Sequence, residues 1–352
     1  MKKVCMVVPS FTAKGGIAAV VSGYRNSELE KKYNIKYIES YCDGGKANKT
    51  LKAIIAYFIF IKEIIFNKPD LVHVHSSFGA SFYRKLPFVY IANIFRIPVV
   101  NHIHGADFND FYLNASDKKK KFIRKVYNKC LYIVVLSQEW KEKIELLLDE
   151  KKIVIIENYG TLNEKAILER NIKSNEYKIL FLGFICKRKG CYDIPAVVKK
   201  VSEKVPNIKF ILAGTGEVEE IKKIIPNTIQ KNIIFPGWIR NKEKDRLLKE
   251  ADIFFLPSYN EGMPMAILDA MGYGLPIIST TVGGISKIVL NGKNGFLFEP
   301  GDIDGFSNSL IELLLDNDKR KSFERVSVNI IKDSYSLEKH IKKLYLLYER
   351  ML

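Results

Sequence analysis

The chain has 352 residues, more than one ordinary α/β core requires and enough for two domains of roughly 150–200 residues. Its 47% hydrophobic and 27% charged content excludes a disordered chain, and its longest apolar run, Ala53 to Phe66, is broken by Lys62 and Glu63 short of the roughly 20 residues of a membrane span. The net charge of +17 leans towards the first half and suits a phosphorylated substrate, an anionic membrane or nucleic acid, and equally a composition rich in Lys, Ile and Asn.

Val4 to Val8 reads as a buried strand closed by Pro9. Its apolar run is too short for an export signal and no small-residue cleavage site follows, so the expected compartment is the cytoplasm. A glycine-containing loop, Ser10 to Gly16, leads into a helical pattern over Ile17 to Tyr24. Further strands are expected at Leu71–His75, Ile97–His104, Tyr132–Leu136 and Ile153–Ile156, with helical patterns between most of them. Near-continuous β-branched runs mark parallel strands buried on both faces, and their alternation with helices marks βαβ units. The polar stretch Glu157 to Asn175 reads as an interdomain connection. The pattern then restarts, with strands at Lys178–Leu182, Lys209–Ala213, Ile233–Phe235, Ile253–Leu256 and Pro276–Ser279 and a helix near Ile194–Val205. Leu337 to Leu352 closes the chain as an amphipathic helix. The five cysteines form no C-x-x-C pair and are expected as reduced thiols. Two doubly wound domains are therefore expected, residues 1–165 and 166–335. A ligand belongs at the carboxyl ends of the strands, in a cleft between the halves.

The segment Pro257 to Met271 carries the most chemistry. It follows a buried strand and opens a helix at about Pro264, where proline suits the first turn. A helix start offers unpaired N–H groups and partial positive charge, suited to a diphosphate. Glu261 precedes this helix, with its side chain expected outside the core, and Asp269 lies inside it. One acid can meet sugar hydroxyls and the other a ribose; a capped helix with two incidental acids is the alternative.

This segment resembles the E-x₇-E region of the retaining family 4 glycosyltransferases, which have the GT-B fold. The resemblance runs over almost the whole chain. Gly15-Gly16-Ile17 is similar to the family's N-terminal glycine loop, and His104-Gly105-Ala106-Asp107 to its His-Gly segment. Leu182 to Gly190, Ala213 to Glu217, Gly283-Gly284 and Asn294 to Leu297 are similar to its C-domain pattern. The resemblance implies a GT-B fold of two Rossmann-like domains, the first binding acceptor and the second the nucleotide sugar, with the last helix (336–352) returning to the first. It implies that Glu261 contacts the donor sugar and that Gly262, Met263, Pro264 and Met265 meet sugar and diphosphate through their backbone. Asp269 would bind the ribose, Lys189 and the Gly15-Gly16 loop would meet the diphosphate, His104 would orient the sugar, and Asp107 would face the acceptor. The implied reaction transfers a hexosyl residue from a nucleotide sugar, expected to be a UDP-sugar, to a lipid-linked or growing bacterial surface polysaccharide. It needs no metal or other cofactor.

Two positions depart from the family pattern. Phe184 stands where the family has an arginine, and Asp269 is one methylene shorter than the family's glutamate. Arg188 or Lys187 is expected to replace the missing guanidinium in part, Arg188 being the better candidate since it can fork onto two phosphate oxygens. The departures leave open a catalytically weak GT-B partner protein or nucleotide-sugar sensor.

His73/His75 and His102/His104 are i, i+2 pairs, each facing one side of its strand. Four imidazoles suffice for a metal, but no carboxylate or thiolate is placed beside them by spacing, so packing is the expected role of all but His104. Asp302-Ile-Asp304 spells D-x-D and is expected to cap a helix. Lys49 to Lys68 and the cluster Lys118 to Lys121, Arg124, Lys125 and Lys129 suit an anionic inner leaflet, or else a partly buried helix and a solvated lysine face. No nucleic-acid-binding module is present, and no nucleic-acid partner is expected.

Overall fold

Apolar runs bounded by glycine and proline become the strands of two parallel sheets. The computed structural model describes residues 1–169 and 176–352. It divides into one unit of Met1–Asn158 with Leu337–Leu352 and a second of Tyr159–Ser336.

The first unit holds β1 (Lys3–Val8), β2 (Asn34–Glu39), β3 (Leu71–Ser76), β4 (Val99–Ile103), β5 (Tyr132–Val135) and β6 (Ile153–Ile155), in the order β2-β1-β3-β4-β5-β6. All pairings are parallel. β3 and β4 are buried along their whole length, as strands covered on both faces must be. Helices Lys46–Lys62 and Ala80–Ile94 bury Phe60 and Phe88 against each other, 5.0 Å between ring centroids. The closing helix, Leu337–Glu349, belongs to this unit and buries Ile341, Leu344, Leu347 and Tyr348. Its Tyr348 hydroxyl meets His73 Nδ1 at 2.5 Å, and its His340 Nε2 meets the Tyr24 hydroxyl at 2.7 Å.

The second unit holds β7 (Tyr177–Leu182), β8 (Ile208–Ala213), β9 (Ile233–Gly237), β10 (Ile253–Leu256), β11 (Ile277–Thr280) and β12 (Gly295–Phe298), in the order β12-β11-β10-β7-β8-β9. These pairings are parallel too. Each unit is a Rossmann-like doubly wound sheet, and the chain has the GT-B fold.

Sequence reading did not find β2 or β12. Both are edge strands, and β2 alternates exposed and part-buried residues, so neither shows a long continuous apolar run. The boundary expected near residue 165 falls at Asn158/Tyr159. Residues 159–163 are committed to the second unit: Gly160 N–H donates to Tyr335 O at 2.8 Å and Asn163 N–H to Gly272 O at 2.9 Å. A Cβ at Gly160 would stand 2.6 Å from Leu268 O, so only glycine allows this approach. Of the connection expected over 157–175, residues 170–175 lie outside the described residues.

Candidate functional site

In the second unit, the loops leaving β7 and β10 are pressed together. Gly190 has φ +70°, and a Cβ there would stand 1.9 Å from Pro257 O. Tyr259 N–H donates to Arg188 O and an Arg188 guanidinium N–H to Asn260 O, both at 2.8 Å. This contact sets Lys189 Nζ on Glu261 Oε1 in an ion pair. Ser258 Oγ donates to the same carboxylate oxygen at 2.9 Å. The Lys189 and Glu261 side chains are only 13% and 8% exposed. Glu261 is therefore buried, contrary to the expectation, and is held by two partners. An ion pair so far from water depends on these added hydrogen bonds, because desolvation offsets much of its Coulomb attraction.

Behind Glu261 the chain is cradled by Gly283 and Gly284. Gly283 has φ +60° and would place a Cβ 2.0 Å from Glu261 O, while Gly284 N–H donates to Gly262 O at 2.6 Å. The helix Met265–Gly272 begins after Pro264, which is its N-cap residue rather than its first turn. Its first turn has neither a side-chain cap bond nor an acidic residue, so its positive end is uncompensated by its own sequence. Gly262, Met263 and Pro264, all buried, join Glu261 to this helix start. Asp269, further along it, pairs with Lys244 of helix Asn241–Glu250. Phe184 is 55% exposed, so the position where the family has arginine opens to solvent. Asp302 accepts the Gly305 N–H at 2.8 Å and Asp304 pairs with Lys200, so the D-x-D sequence is a helix cap and a surface ion pair.

In the first unit, Gly15 has φ +129° and precedes the helix Gly16–Ser22. Lys14 N–H beside it donates to Asp43 Oδ2 at 2.7 Å. His104 follows β4, with its N–H on Ser76 O at 2.9 Å and its Nε2 2.9 Å from His75 Nδ1. Gly105 is required here, since a Cβ would stand 2.4 Å from Ser77 Oγ. Asp107 is exposed.

All five histidines of the chain gather in this unit. His73, His75, His102 and His104 cluster with centroids 4.2–5.7 Å apart between neighbouring rings and His340 6.4 Å from His102. Burial, with the other imidazoles adding to it, holds His75 and His102 well below the usual histidine range and His73 at about 3. Ring nitrogens of His73, His75 and His102 lie within 4.8 Å of one another. The three rings are stacked or tilted, with interplanar angles of 8° to 32°.

Two family profiles divide the chain between them. Residues 17–159 match the one described as Glycosyltransferase Family 4, and residues 163–327 the one described as Glycosyl transferases group 1. The chain belongs to the family 4 glycosyltransferases. Its relatives include the Escherichia coli UDP-Gal:alpha-D-GlcNAc-diphosphoundecaprenol alpha-1,3-galactosyltransferase, 28% identical over 94% of this chain and 87% of that one. Another is the N-acetyl-alpha-D-glucosaminyl L-malate synthase of Bacillus anthracis, 25% identical over 80% of this chain and 76% of that one. Among solved structures, sucrose-phosphate synthase from Thermosynechococcus elongatus superposes with a TM-score of 0.82 at 14% identity, covering 100% and 99% of the two chains. Anabaena HepE with UDP and glucose does so at 0.75 and 17%, covering 99% and 100%. The protein is a glycosyltransferase acting on nucleotide sugars.

Several residues of this glycosyltransferase escaped sequence reading. Ser258, three residues before Glu261, holds its carboxylate, and Lys244, from a separate helix, holds Asp269; neither was given a role from sequence. Lys85 is buried, donates to Ser40 Oγ, and has its ammonium pKa held well below the usual lysine range, chiefly by burial and then by Arg84. Its signal was available: Phe82, Lys85, Val89 and Ala92 share the inner face of one helix at intervals of three and four. The basic cluster is less free than its sequence suggests. Arg124 donates to Tyr112 OH at 2.6 Å and Leu146 O at 3.0 Å, and Lys129 lies 5.0 Å over the Tyr90 ring. Lys118, Lys121 and Lys125 remain exposed.

Proposed function

We propose that this glycosyltransferase moves a hexosyl residue from a UDP-sugar to a lipid-linked or growing surface-polysaccharide acceptor, with retention of anomeric configuration. The observation that carries the reading is the buried Lys189–Glu261–Ser258 cluster set immediately before an uncompensated helix start. Breaking the glycosidic bond leaves negative charge on the diphosphate and positive charge on the sugar. Lys189 and the N–H groups around Met265 meet the first, so positioning and leaving-group electrostatics lower the barrier. Glu261 holds sugar hydroxyls, its carboxylate aimed by Ser258. Asp269, steadied by Lys244, takes the ribose. On this reading the first unit supplies Gly15 and Gly16 to the diphosphate, His104 to the sugar and Asp107 to the acceptor. Burial lowers the pKa of His104, with His340 adding to it, so it acts as a neutral hydrogen-bonding ring. The undecaprenol-linked substrate named for the Escherichia coli relative supports a lipid-linked acceptor. The exposed lysines of 118–125 suit an anionic inner leaflet around it.

The deciding test is incubation with a panel of nucleotide sugars, reading released nucleotide by mass spectrometry. UDP release from one donor, raised by a polyprenol-linked acceptor, is the expected result; no release from any donor favours a sugar-nucleotide sensor. Because Lys189 and the helix start meet the diphosphate, turnover should persist in excess chelator. Complete loss restored by added metal would overturn the metal-free reading.

Donor affinity by calorimetry tests the diphosphate loop. Lys189→Ala should lose on the order of 1.5–3 kcal/mol, the range for hydrogen bonds to charged groups. Arg188→Ala should lose less, because one of its N–H groups is already given to Asn260 O. Phe184→Arg should hold or raise affinity from its exposed position. Unchanged binding by Lys189→Ala would remove this loop from the donor site.

A further inference from the structure

Helix Lys46–Lys62 and the turn Glu63–Asn67 that continues it carry two apolar faces. The inner face, Ala53, Ala56, Phe60 and Ile64, is buried in the first unit. The outer face is apolar as well: Leu51 is 58% exposed, Phe58 70% and Phe66 74%, with Ile55, Ile59 and Ile65 between 44% and 46%. Leu51, Ile55, Phe58 and Ile59 recur at intervals of three and four, and Ile65 and Phe66 follow seven residues after Phe58 and Ile59, with Lys62 between them. A helix apolar all round ordinarily has cover on every side, and this stripe stands open.

The charges around it indicate what covers it. Between residues 46 and 68 stand five lysines and one acid, Glu63, whose carboxylate accepts from the Asn67 amide at 2.8 Å. Lys46 and Lys68 are exposed at the ends of the stripe and Lys62 within it, while Lys52 is paired with Glu39. A second copy seated on this face would set lysines against lysines. A bilayer bearing anionic headgroups satisfies both features: acyl chains take the apolar side chains and lipid phosphates take the ammonium groups, whose long stems reach up to them. Among the described residues no helix is long and apolar enough to cross a membrane, so the segment would lie in the interface plane.

We infer that helix 46–67 docks the enzyme on an anionic membrane by inserting the Leu51–Phe66 stripe below the headgroups. This rests on the membrane part of the proposed function and adds an apolar anchor to the attraction exerted by the lysines of 118–125. Electrostatic attraction alone is screened away at high salt, whereas inserted side chains are not.

The test uses the full chain and vesicles of phosphatidylcholine with and without phosphatidylglycerol. Wild type should float with the anionic vesicles and keep a measurable bound fraction in about 0.5 M salt, where the Debye length is only a few ångströms. A Phe58→Trp reporter should be quenched by brominated acyl chains. The Phe58→Ser/Phe66→Ser double variant should bind at least about tenfold less while melting like wild type, since both side chains are mostly exposed. Absent quenching, equal flotation of the double variant, or complete release of wild type by salt would each overturn insertion. So would loss of a dimer in the double variant with vesicle binding unchanged, which would make the stripe an interface between copies. Nucleotide release without vesicles, read on the same samples, reports the glycosyltransferase reading separately, so either can fail alone.

Discussion

Glu261→Ala is expected to cut turnover by at least about 100-fold, the cost of losing a positioned polar group in a transition state. The structure adds a second consequence. Glu261 is the buried partner of both Lys189 and Ser258, so its removal leaves an ammonium group nearly sealed from water without its counter-charge. Breaking one side of a buried pair costs on the order of 3–5 kcal/mol, so the second unit should also melt earlier. Activity and stability then have to be separated. Glu261→Gln keeps the shape and one carbonyl acceptor, and should recover part of the melting temperature while turnover stays low. The measurement is nucleotide release alongside a thermal melt for both variants. A Glu261→Gln enzyme with near-native turnover would show that the carboxylate has no part in the reaction and that the cluster is a structural clamp.

Mild acid should unfold the first unit before the second. All five histidines lie in the first unit, and burial keeps their rings neutral there. His73 and His104 are lowered from 6.5 to about 3 and His340 to about 4. In the unfolded chain the same rings bind protons near 6.5. Between those values the unfolded state therefore holds more protons than the folded one, and stability rises with pH. The full contribution is present above about 6.5 and is lost as pH falls from there towards about 3–4. Each ring that stays neutral in the fold removes up to about 1.4 kcal/mol per pH unit across that window. Hydrogen exchange of the intact protein at pH 7.5 and pH 5 should show β1–β6 losing protection well ahead of β7–β12. Equal loss in both units would mean that the imidazole stack is not the acid-sensitive element.

The same histidines show how far sequence could be read. Their i, i+2 spacing puts each pair on one face of its strand, and that much is local geometry. That β3 and β4 lie side by side, so that His75 comes opposite His102, depends on strand order, as does the arrival of His340 from the far end of the chain. The outcome is a stack of buried rings, which could not be foreseen from spacing.

The sequence by itself determined the two doubly wound sheets, because buried parallel strands need unbroken β-branched runs and such runs are visible without a structure. It also determined the glycine positions that matter. Gly190, Gly283 and Gly105 sit where another backbone or side chain comes too close for a Cβ, and they appear in sequence as recognisable loop motifs. Tertiary structure alone decided what those loops hold. Lys189 and Glu261 are 72 residues apart, and their pairing exists only because β7 and β10 are neighbours in the sheet. The burial of Glu261 follows from that contact, as does the pairing of Asp269 with Lys244 from a separate helix. Exposure was likewise beyond sequence: Lys49 to Lys68 suits either a membrane surface or a partly buried helix with a solvated lysine face, and only the fold shows that Leu51, Phe58 and Phe66 are turned outward. Hydrophobic pattern reports which residues avoid water, and only the packing of one element on another shows which of them have succeeded.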